Sequence, residues 1–144
     1  TGADLALSNS DRTTVWGALM ETGYPEATVT FVAFADGGTS LYFSSGGGII
    51  GAGEHPSVRD ASLAFLREAS RHLARCTPTS TFPQPPVGKV RYYLRTLGGT
   101  WTTERDEEAL GTERDALAPL VLAGQRVITE IRHKTEGQSP DAAS

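Results

Sequence analysis

The sequence contains very little cysteine. Cys76 is the one cysteine among 144 residues, whereas a disulfide or a structural zinc site needs more than one such side chain. The three histidines, His55, His72 and His133, also lack the spacing of a metal-binding motif such as H-x-x-x-H. We therefore expect a fold that is held together by packing, with no metal and no cofactor.

Positive charge and long apolar runs are also scarce. There are 13 lysines and arginines against 17 aspartates and glutamates, which gives a net charge of -4, and nucleic-acid binding normally requires a basic surface. No apolar run approaches the ~20 residues of a membrane span, and the first four residues, Thr-Gly-Ala-Asp, do not resemble the start of a signal peptide. The sequence predicts a cytoplasmic protein that has neither nucleic acid nor a membrane as a partner.

What is present is the composition of a folded domain. Hydrophobic residues make up 38% of the chain and charged residues 21%, a balance that supports one hydrophobic core at this length. We expect a single globular domain over residues 8–136. The segment 137–144 is polar and rich in small residues, so we predict a disordered tail there.

Three segments show helical periodicity. The first is predicted over about 11–22, where apolar residues such as Val15 and Leu19 fall on one face. The second is predicted over about 56–75 and opens at Pro56, and the third over about 116–134. The apolar stripes of the second and third helices supply the expected core, which comprises Phe65, Leu66, Leu73, Val121, Val127 and Ile128.

A first β-hairpin lies between the first two helices. Its strands are predicted over 27–35 and 40–44, joined by an Asp-Gly-Gly turn that begins at Asp36. In the first strand Val32 and Phe34 are apolar, and so are the residues next to them in sequence, which point to the opposite face. We therefore expect this strand to be covered on both faces. After the second helix, the proline-rich segment 77–88 predicts an extended crossover within the domain.

A second β-hairpin follows this crossover. Apolar and polar residues alternate over 89–96, and Gly98-Gly99 then offers a turn before the return strand. A loop of these two glycines places Arg91 opposite Asp106, a favourable pair of charges. The outward face of the hairpin then carries Arg91, Tyr93, Arg95, Thr102 and Glu104.

One candidate site is the glycine-rich segment before the second helix. Its letters GGGIIG match G-x-G-x-x-G, but a dinucleotide site needs the helix to open inside the motif and a second parallel strand to follow. A weaker hypothesis is an anion or ligand site, at which free backbone amides meet the positive end of the helix. The residues of that site are Gly51, Gly53, Glu54, His55, Ser57 and Arg59.

No catalytic constellation accompanies this segment. There is no G-x-S-x-G elbow around the serines, and Glu54 and His55, as sequence neighbours, are poorly placed to act as an acid–base pair. We therefore favour a protein that is not an enzyme. The alternative is a small-molecule sensor, or an enzyme, that uses the segment 46–55.

The other candidate site is the outward face of the second hairpin. Arginine and tyrosine alternate there at Arg91, Tyr93 and Arg95, and both residue types are enriched in protein interfaces. The alternative, equally weighted, is a solvated sheet face on which Glu104 and Asp106 neutralise the arginines.

Together these elements predict an α+β fold of order αββαββα, in which three helices flank a central antiparallel sheet of four or five strands. The Asp36-Gly37 hairpin followed by the second helix, and the Gly98-Gly99 hairpin followed by the third, resemble the roadblock group of the profilin-like fold over about 10–134. The resemblance implies a non-enzymatic regulatory or scaffolding domain that pairs with itself and often serves a small GTPase. The residues that it assigns to the interface are Leu63, Arg67, Arg71, Arg91, Tyr93 and Arg95.

Overall fold

The computed structural model describes residues 14–111 and 115–138. They form an α+β fold in which one seven-stranded antiparallel sheet carries its helices on one face. The strands are β1 (Gly17–Gly23), β2 (Thr28–Phe34), β3 (Thr39–Phe43), β4 (Gly48–Ile49), β5 (Thr77–Pro78), β6 (Lys89–Thr96) and β7 (Gly99–Asp106). The helices are α1 (Pro56–Arg71), α2 (Glu107–Gly111) and α3 (Ala118–Gln138).

The predicted first helix is wrong, because most of that segment forms β1. The strand order is β4-β3-β2-β1-β6-β7-β5, so β1 pairs with β2 on one side and with β6 on the other. A central strand is apolar on both faces, and a short run of that kind cannot be distinguished from a buried helix by periodicity. Residues 11–13 of the predicted helix lie outside the described residues.

The sheet also has more strands than the four or five predicted. β1 adds one strand at the centre, and β4 and β5 add a two-residue strand at each edge of the described sheet. Strands this short leave almost no pattern in a sequence. The α+β class is confirmed, whereas the described residues do not show the element order αββαββα, because their first element is the strand β1 where a helix was predicted.

The hydrophobic core lies between the sheet and helices α1 and α3. The rings of Phe31 on β2 and Phe65 on α1 meet edge to face, with 5.0 Å between their centroids. Five of the six residues predicted for the core are buried, and the sixth, Ile128, is half-buried against it. Gly124 on α3 permits a close approach, but to the side chains of Met20 and Phe65 and not to another backbone.

Residues 79–88 form an extended strap that crosses the sheet face opposite the helices. It leads from β5, at one edge of the sheet, past β7 to β6 near the centre, so the extended crossover is present but ends at an interior strand, whereas a connector of this length was expected to reach another edge. Gly23 lies directly beneath it, where a Cβ atom would stand 2.3 Å from the carbonyl oxygen of Pro86. The amide of Gly88 donates to the carbonyl of Gly23 at 2.9 Å, which ties the strap to β1.

The register of the second hairpin differs from the prediction by two residues. Arg91 pairs with Glu104, not with Asp106, because the turn is made by Leu97 and Gly98 while Gly99 already belongs to β7. A shift of two residues keeps every side chain on its predicted face. The outward set of Arg91, Tyr93, Arg95, Thr102 and Glu104 is therefore correct.

The other boundaries lie close to their predicted positions. The second helix corresponds to α1, which continues as a 3-10 turn over Leu73–Arg75. The third helix corresponds to α3, which reaches Gln138 and so includes the first two residues of the predicted tail. Positions 8–13 and 139–144 lie outside the described residues. Within the described part of the chain, no helix combines the length and apolarity of a membrane span.

Candidate functional site

The glycine-rich segment folds into a shallow cavity of about 220 Å³ beside the start of α1. Position 53 requires glycine, because the Cβ atom of any other residue would stand 2.0 Å from the carbonyl oxygen of Gly37. The structure thus brings together part of the predicted anion site, with two glycines of the first hairpin completing the wall. The lining residues are Asp36, Gly37, Gly38, Gly51, Gly53, Glu54 and Arg59.

The charges around this cavity do not favour an anion. Asp36 and Glu54 place two carboxylates on its wall, against the single guanidinium of Arg59. That guanidinium is already engaged, since its Nε donates to the carbonyl of Gly53 at 3.2 Å. His55 and Ser57 are half-buried nearby and do not line the cavity. Two like charges beside a bound anion oppose its binding.

Of the predicted interface residues, three lie on α1. Leu63 is half-buried. Its side chain is therefore less accessible than expected for a residue on the polar side of the helix. Arg67 and Arg71 are exposed. The guanidinium of Arg71 contacts the carboxylate of Glu68 at 3.4 Å, one turn earlier on the helix, as the spacing predicts.

The other three predicted interface residues lie on β6, and the central one is covered. Tyr93 is 1% exposed, because the strap lies over it. Its Oη donates to the carbonyl of Pro83 at 2.5 Å, and the ring of Phe82 lies 5.1 Å from its own ring, measured between centroids. Tyr93 is therefore on its predicted face but cannot contact a partner. Arg91 is half-buried and paired with Glu104 at 3.2 Å, while Arg95 is exposed.

These two groups do not form one surface. β6 turns Val90, Tyr92 and Leu94 into the core shared with the helices, so Arg91 and Arg95 lie on the opposite side of the sheet from α1. β6 is also an interior strand, paired with both β1 and β7. In this fold β6 therefore has no free edge.

Beyond the strap, the same side of the sheet presents an apolar surface that we call the open face. It is formed by Leu19 on β1, Val32 and Phe34 on β2, and Tyr42 on β3. Leu19 and Val32 are half-buried, whereas Phe34 and Tyr42 are 40% and 42% exposed. The expectation that both faces of the first hairpin strand are covered is therefore wrong at Phe34.

The open face is ordered by contacts among aromatic side chains at one end. Phe34 lies across Gly17, where a Cβ atom would meet its ring at 3.1 Å. The Trp16 ring stacks on Phe34 with 6.2 Å between centroids, and the Arg95 guanidinium lies 5.4 Å from the centroid of Trp16. These contacts hold two large rings in place beside solvent.

A second feature that the sequence did not reveal is a cavity of about 510 Å³ between the end of α1 and the turn of the second hairpin. Burial raises the pKa of the Cys76 thiol on its wall, an effect that the charge of Arg105 opposes. The thiol is buried. The lining residues are Ser70, Arg71, Leu73, Ala74, Cys76, Gly98 and Trp101.

Groups suited to metal binding do not assemble in the described part of the chain, where no cluster of three or more histidine, cysteine, aspartate or glutamate side chains occurs. His72 is buried, and its Nε2 lies 3.1 Å from a carboxylate oxygen of Glu68. This carboxylate lies one helical turn before the histidine. No protein-family model, curated protein or solved structure matches this chain.

Proposed function

We propose that this chain is a non-enzymatic regulatory or scaffolding domain that acts through protein contacts, and that it pairs with a second copy of itself through the open face. The observation that carries the proposal is the cluster of Leu19, Val32, Phe34 and Tyr42 on three neighbouring strands. The core between sheet and helices is complete without them. Clustered apolar side chains that a fold leaves accessible mark interaction sites more often than scattered ones do.

A face-to-face contact suits this sheet better than an edge-to-edge contact. In the described fold the edges are β4 and β5, each two residues long. So short a strand offers few backbone groups to a partner, and it protects the sheet from adding strands of other molecules. Two sheets that pack through one face each bury side chains instead, and Phe34 and Tyr42 supply the largest ones.

A second copy is the favoured occupant because the open face carries no charge of its own. A two-fold contact sets each patch against the same patch of its partner, so any charge near the centre would meet its own kind. Glu21 lies on the same side of the sheet, in register with Thr30 and Tyr42, but it is buried and accepts a hydrogen bond from Thr30 Oγ1 at 2.8 Å. Arg95 lies at the rim, where charged groups cost little.

The roadblock resemblance supports the same class of function by analogy of element order. It implies self-pairing, and it names a small GTPase as a further partner. The contact differs from the one that the resemblance implies, since Leu63, Arg67 and Arg71 lie across the sheet from the open face. If a small GTPase binds here, Phe34→Glu should weaken the binding in a calorimetric titration.

Sedimentation velocity at micromolar concentration tests the pairing. We expect the wild-type chain to be a dimer and Phe34→Glu to be a monomer, because the substitution places a carboxylate within the apolar contact. Leu122→Glu is the matched control: Leu122 is 51% exposed on α3, on the far side of the molecule, and receives the same new charge. That control should remain a dimer.

Two results would overturn the pairing. One is a wild-type chain that stays monomeric up to about 100 µM, a concentration at which interfaces of standard size are saturated. The other is a dimer that persists in both Phe34→Glu and Tyr42→Glu, which would place the contact elsewhere. Circular dichroism shows whether each variant is folded, and Tyr42→Glu decides the question if Phe34→Glu is not.

A further inference from the structure

The cavity beside Trp101 has the size and lining of a small-molecule site. Its volume of about 510 Å³ falls within the range of ~300–1,000 Å³ typical of ligand pockets. Apolar side chains contribute most of the wall, through Leu73, Ala74 and Trp101, and the polar groups of Ser70 and Arg71 lie at one side. This site is separate from the open face and does not depend on the proposed pairing.

The indole of Trp101 is the centre of this region. A neighbouring cavity of about 380 Å³ runs along the other side of the hairpin turn and shares Gly98 and Trp101 with the first. Two cavities that meet at one indole form a cleft in which a flat apolar molecule can stack.

Hydrogen-bond accounting shows which polar groups are available to a ligand. Ser70 Oγ is occupied, since it accepts from the amide of Val15 at 2.9 Å and donates to the carbonyl of Leu66 at 3.1 Å. The Cys76 thiol donates to the carbonyl of His72 at 3.6 Å. In contrast, Trp101 Nε1 is buried and has no acceptor among the described residues. Because this nitrogen has almost no accessible surface, a ligand in the cavity cannot reach it, and the polar group that remains for a ligand is the exposed Arg71 guanidinium.

The charges around the cavity favour a negatively charged ligand. None of its seven lining residues is acidic, and the Arg71 guanidinium lies at the wall with its side chain 75% exposed. Arg75, also exposed, follows in the 3-10 turn that supplies Leu73 and Ala74. The adjacent Glu68 is shared between Arg71 and His72, which leaves a surplus of positive charge.

We propose that this cavity binds an aromatic carboxylate, with the ring system against Trp101 and the carboxylate at the Arg71 guanidinium. The two requirements of such a molecule are met by separate groups: an apolar space of sufficient volume, and a cation at the opening. The proposal assigns a ligand site that lies about a helix length from the glycine-rich segment, at the opposite end of α1.

The experiment uses the intrinsic fluorescence of Trp101. The chain has two tryptophans, so Trp16→Phe leaves Trp101 as the sole reporter. Biphenyl-4-acetate, a flat aromatic carboxylate, should change the emission excited at 295 nm in a saturable manner, with a Kd of about 1 mM or tighter. Biphenyl-4-acetamide, the neutral analogue of the same shape, should bind at least about threefold more weakly.

Two variants in the Trp16→Phe background locate the binding. Ala74→Phe fills the cavity and should abolish the fluorescence change, while Arg71→Gln should weaken the carboxylate by about threefold and leave the amide unaffected. A second readout uses Cys76, the sole cysteine: the bound carboxylate should slow its alkylation by iodoacetamide. Arg67→Gln, an exposed arginine one turn before Arg71 that does not line the cavity, is the matched control and should change neither affinity.

Several results would refute the assignment. The absence of a saturable change up to about 5 mM in both readouts would show that the cavity does not take this class of ligand. An affinity that is unchanged in folded Ala74→Phe would place the binding elsewhere. Equal affinities for the carboxylate and the amide would exclude the role of charge. If Ala74→Phe is not folded by circular dichroism, the comparison of Arg71→Gln with Arg67→Gln decides.

Discussion

Tyr92 is a buried side chain whose hydroxyl is left without a hydrogen bond. It lies on the helix face of β6, and its Oη has no partner among the described residues. Burial, and to a lesser extent the charge of Asp115, raises the pKa of Tyr92 far above its ordinary value. Asp115 is itself paired with Arg105 at 3.6 Å. The phenol therefore stays neutral throughout the range in which the protein is folded.

Tyr92→Phe should leave the free energy of unfolding unchanged or increase it by up to about 1 kcal/mol. The substitution keeps the ring and removes an unsatisfied polar atom, and such changes are neutral or stabilising. Urea denaturation at neutral pH measures the difference. A decrease of more than about 1 kcal/mol would mean that the hydroxyl has a partner in solution.

The same variant has a predicted effect on alkaline stability. The unfolded chain releases the Tyr92 proton near pH 10, whereas the folded chain holds it to higher pH. Stability is therefore fully present below about pH 10 and declines as the pH rises above it. Tyr92→Phe should show a smaller decline between about pH 9.5 and 11, measured by urea denaturation at each pH.

Individual contacts were predictable from the sequence where they are local. The pairing of Glu68 with Arg71 and His72 follows from helical spacing, and the burial of Cys76 follows from its place on the apolar stripe. The burial of Tyr93 was not predictable in this way. Its cover comes from the strap, and no spacing rule for strands or helices indicates where an extended proline-rich segment will lie.

At the scale of elements, α1 contributes most through Phe65. That side chain is fully buried and contacts Phe31 on β2 and the space above Gly124 on α3, so it touches three elements at once. Phe65→Ala should lower the free energy of unfolding by about 3–5 kcal/mol, as expected for a large cavity in a close-packed core.

Chemical denaturation measures this change, and Arg67→Ala provides the comparison. Arg67 is exposed on the same helix, and its replacement should alter stability by less than about 0.5 kcal/mol. A loss below about 1 kcal/mol for Phe65→Ala would contradict the packing of α1 on the sheet.

Long elements with one buried face were predictable from the sequence. Very short elements, and a strand buried on both faces, were not. α1 and α3 have one apolar stripe each, and both were found within a few residues of their predicted bounds. The segment of β1 resembles a helix because Val15, Leu19 and Met20 satisfy a helical spacing, whereas Leu19 and Met20 lie on a strand that has a neighbour on each side. β4 and β5 are too short to leave a pattern.

At the scale of the whole molecule, the two faces of the sheet differ in what covers them. Helices α1 and α3 cover one face, the strap covers part of the other, and the open face remains. The α+β class could be predicted from alternating strand and helix signals. The candidate sites could not, because the open face and the Trp101 cavity are defined by residues that are far apart in the sequence.

The strap also fixes an order of events during folding. It passes over Gly23 of β1 and Tyr93 of β6, so its resting place exists only after these two distant strands have paired. The hairpins β2–β3 and β6–β7 join neighbouring segments and can form early, whereas β1–β6 must close a loop of much of the chain. In pulse-labelled hydrogen exchange, the Gly88 amide, which bonds to Gly23, should gain protection after the Val32 amide, which faces Ser40 in the β2–β3 hairpin. Simultaneous or earlier protection of Gly88 would contradict this order. The proline-rich strap is thus expected to pack against the sheet only after β1 and β6 have paired.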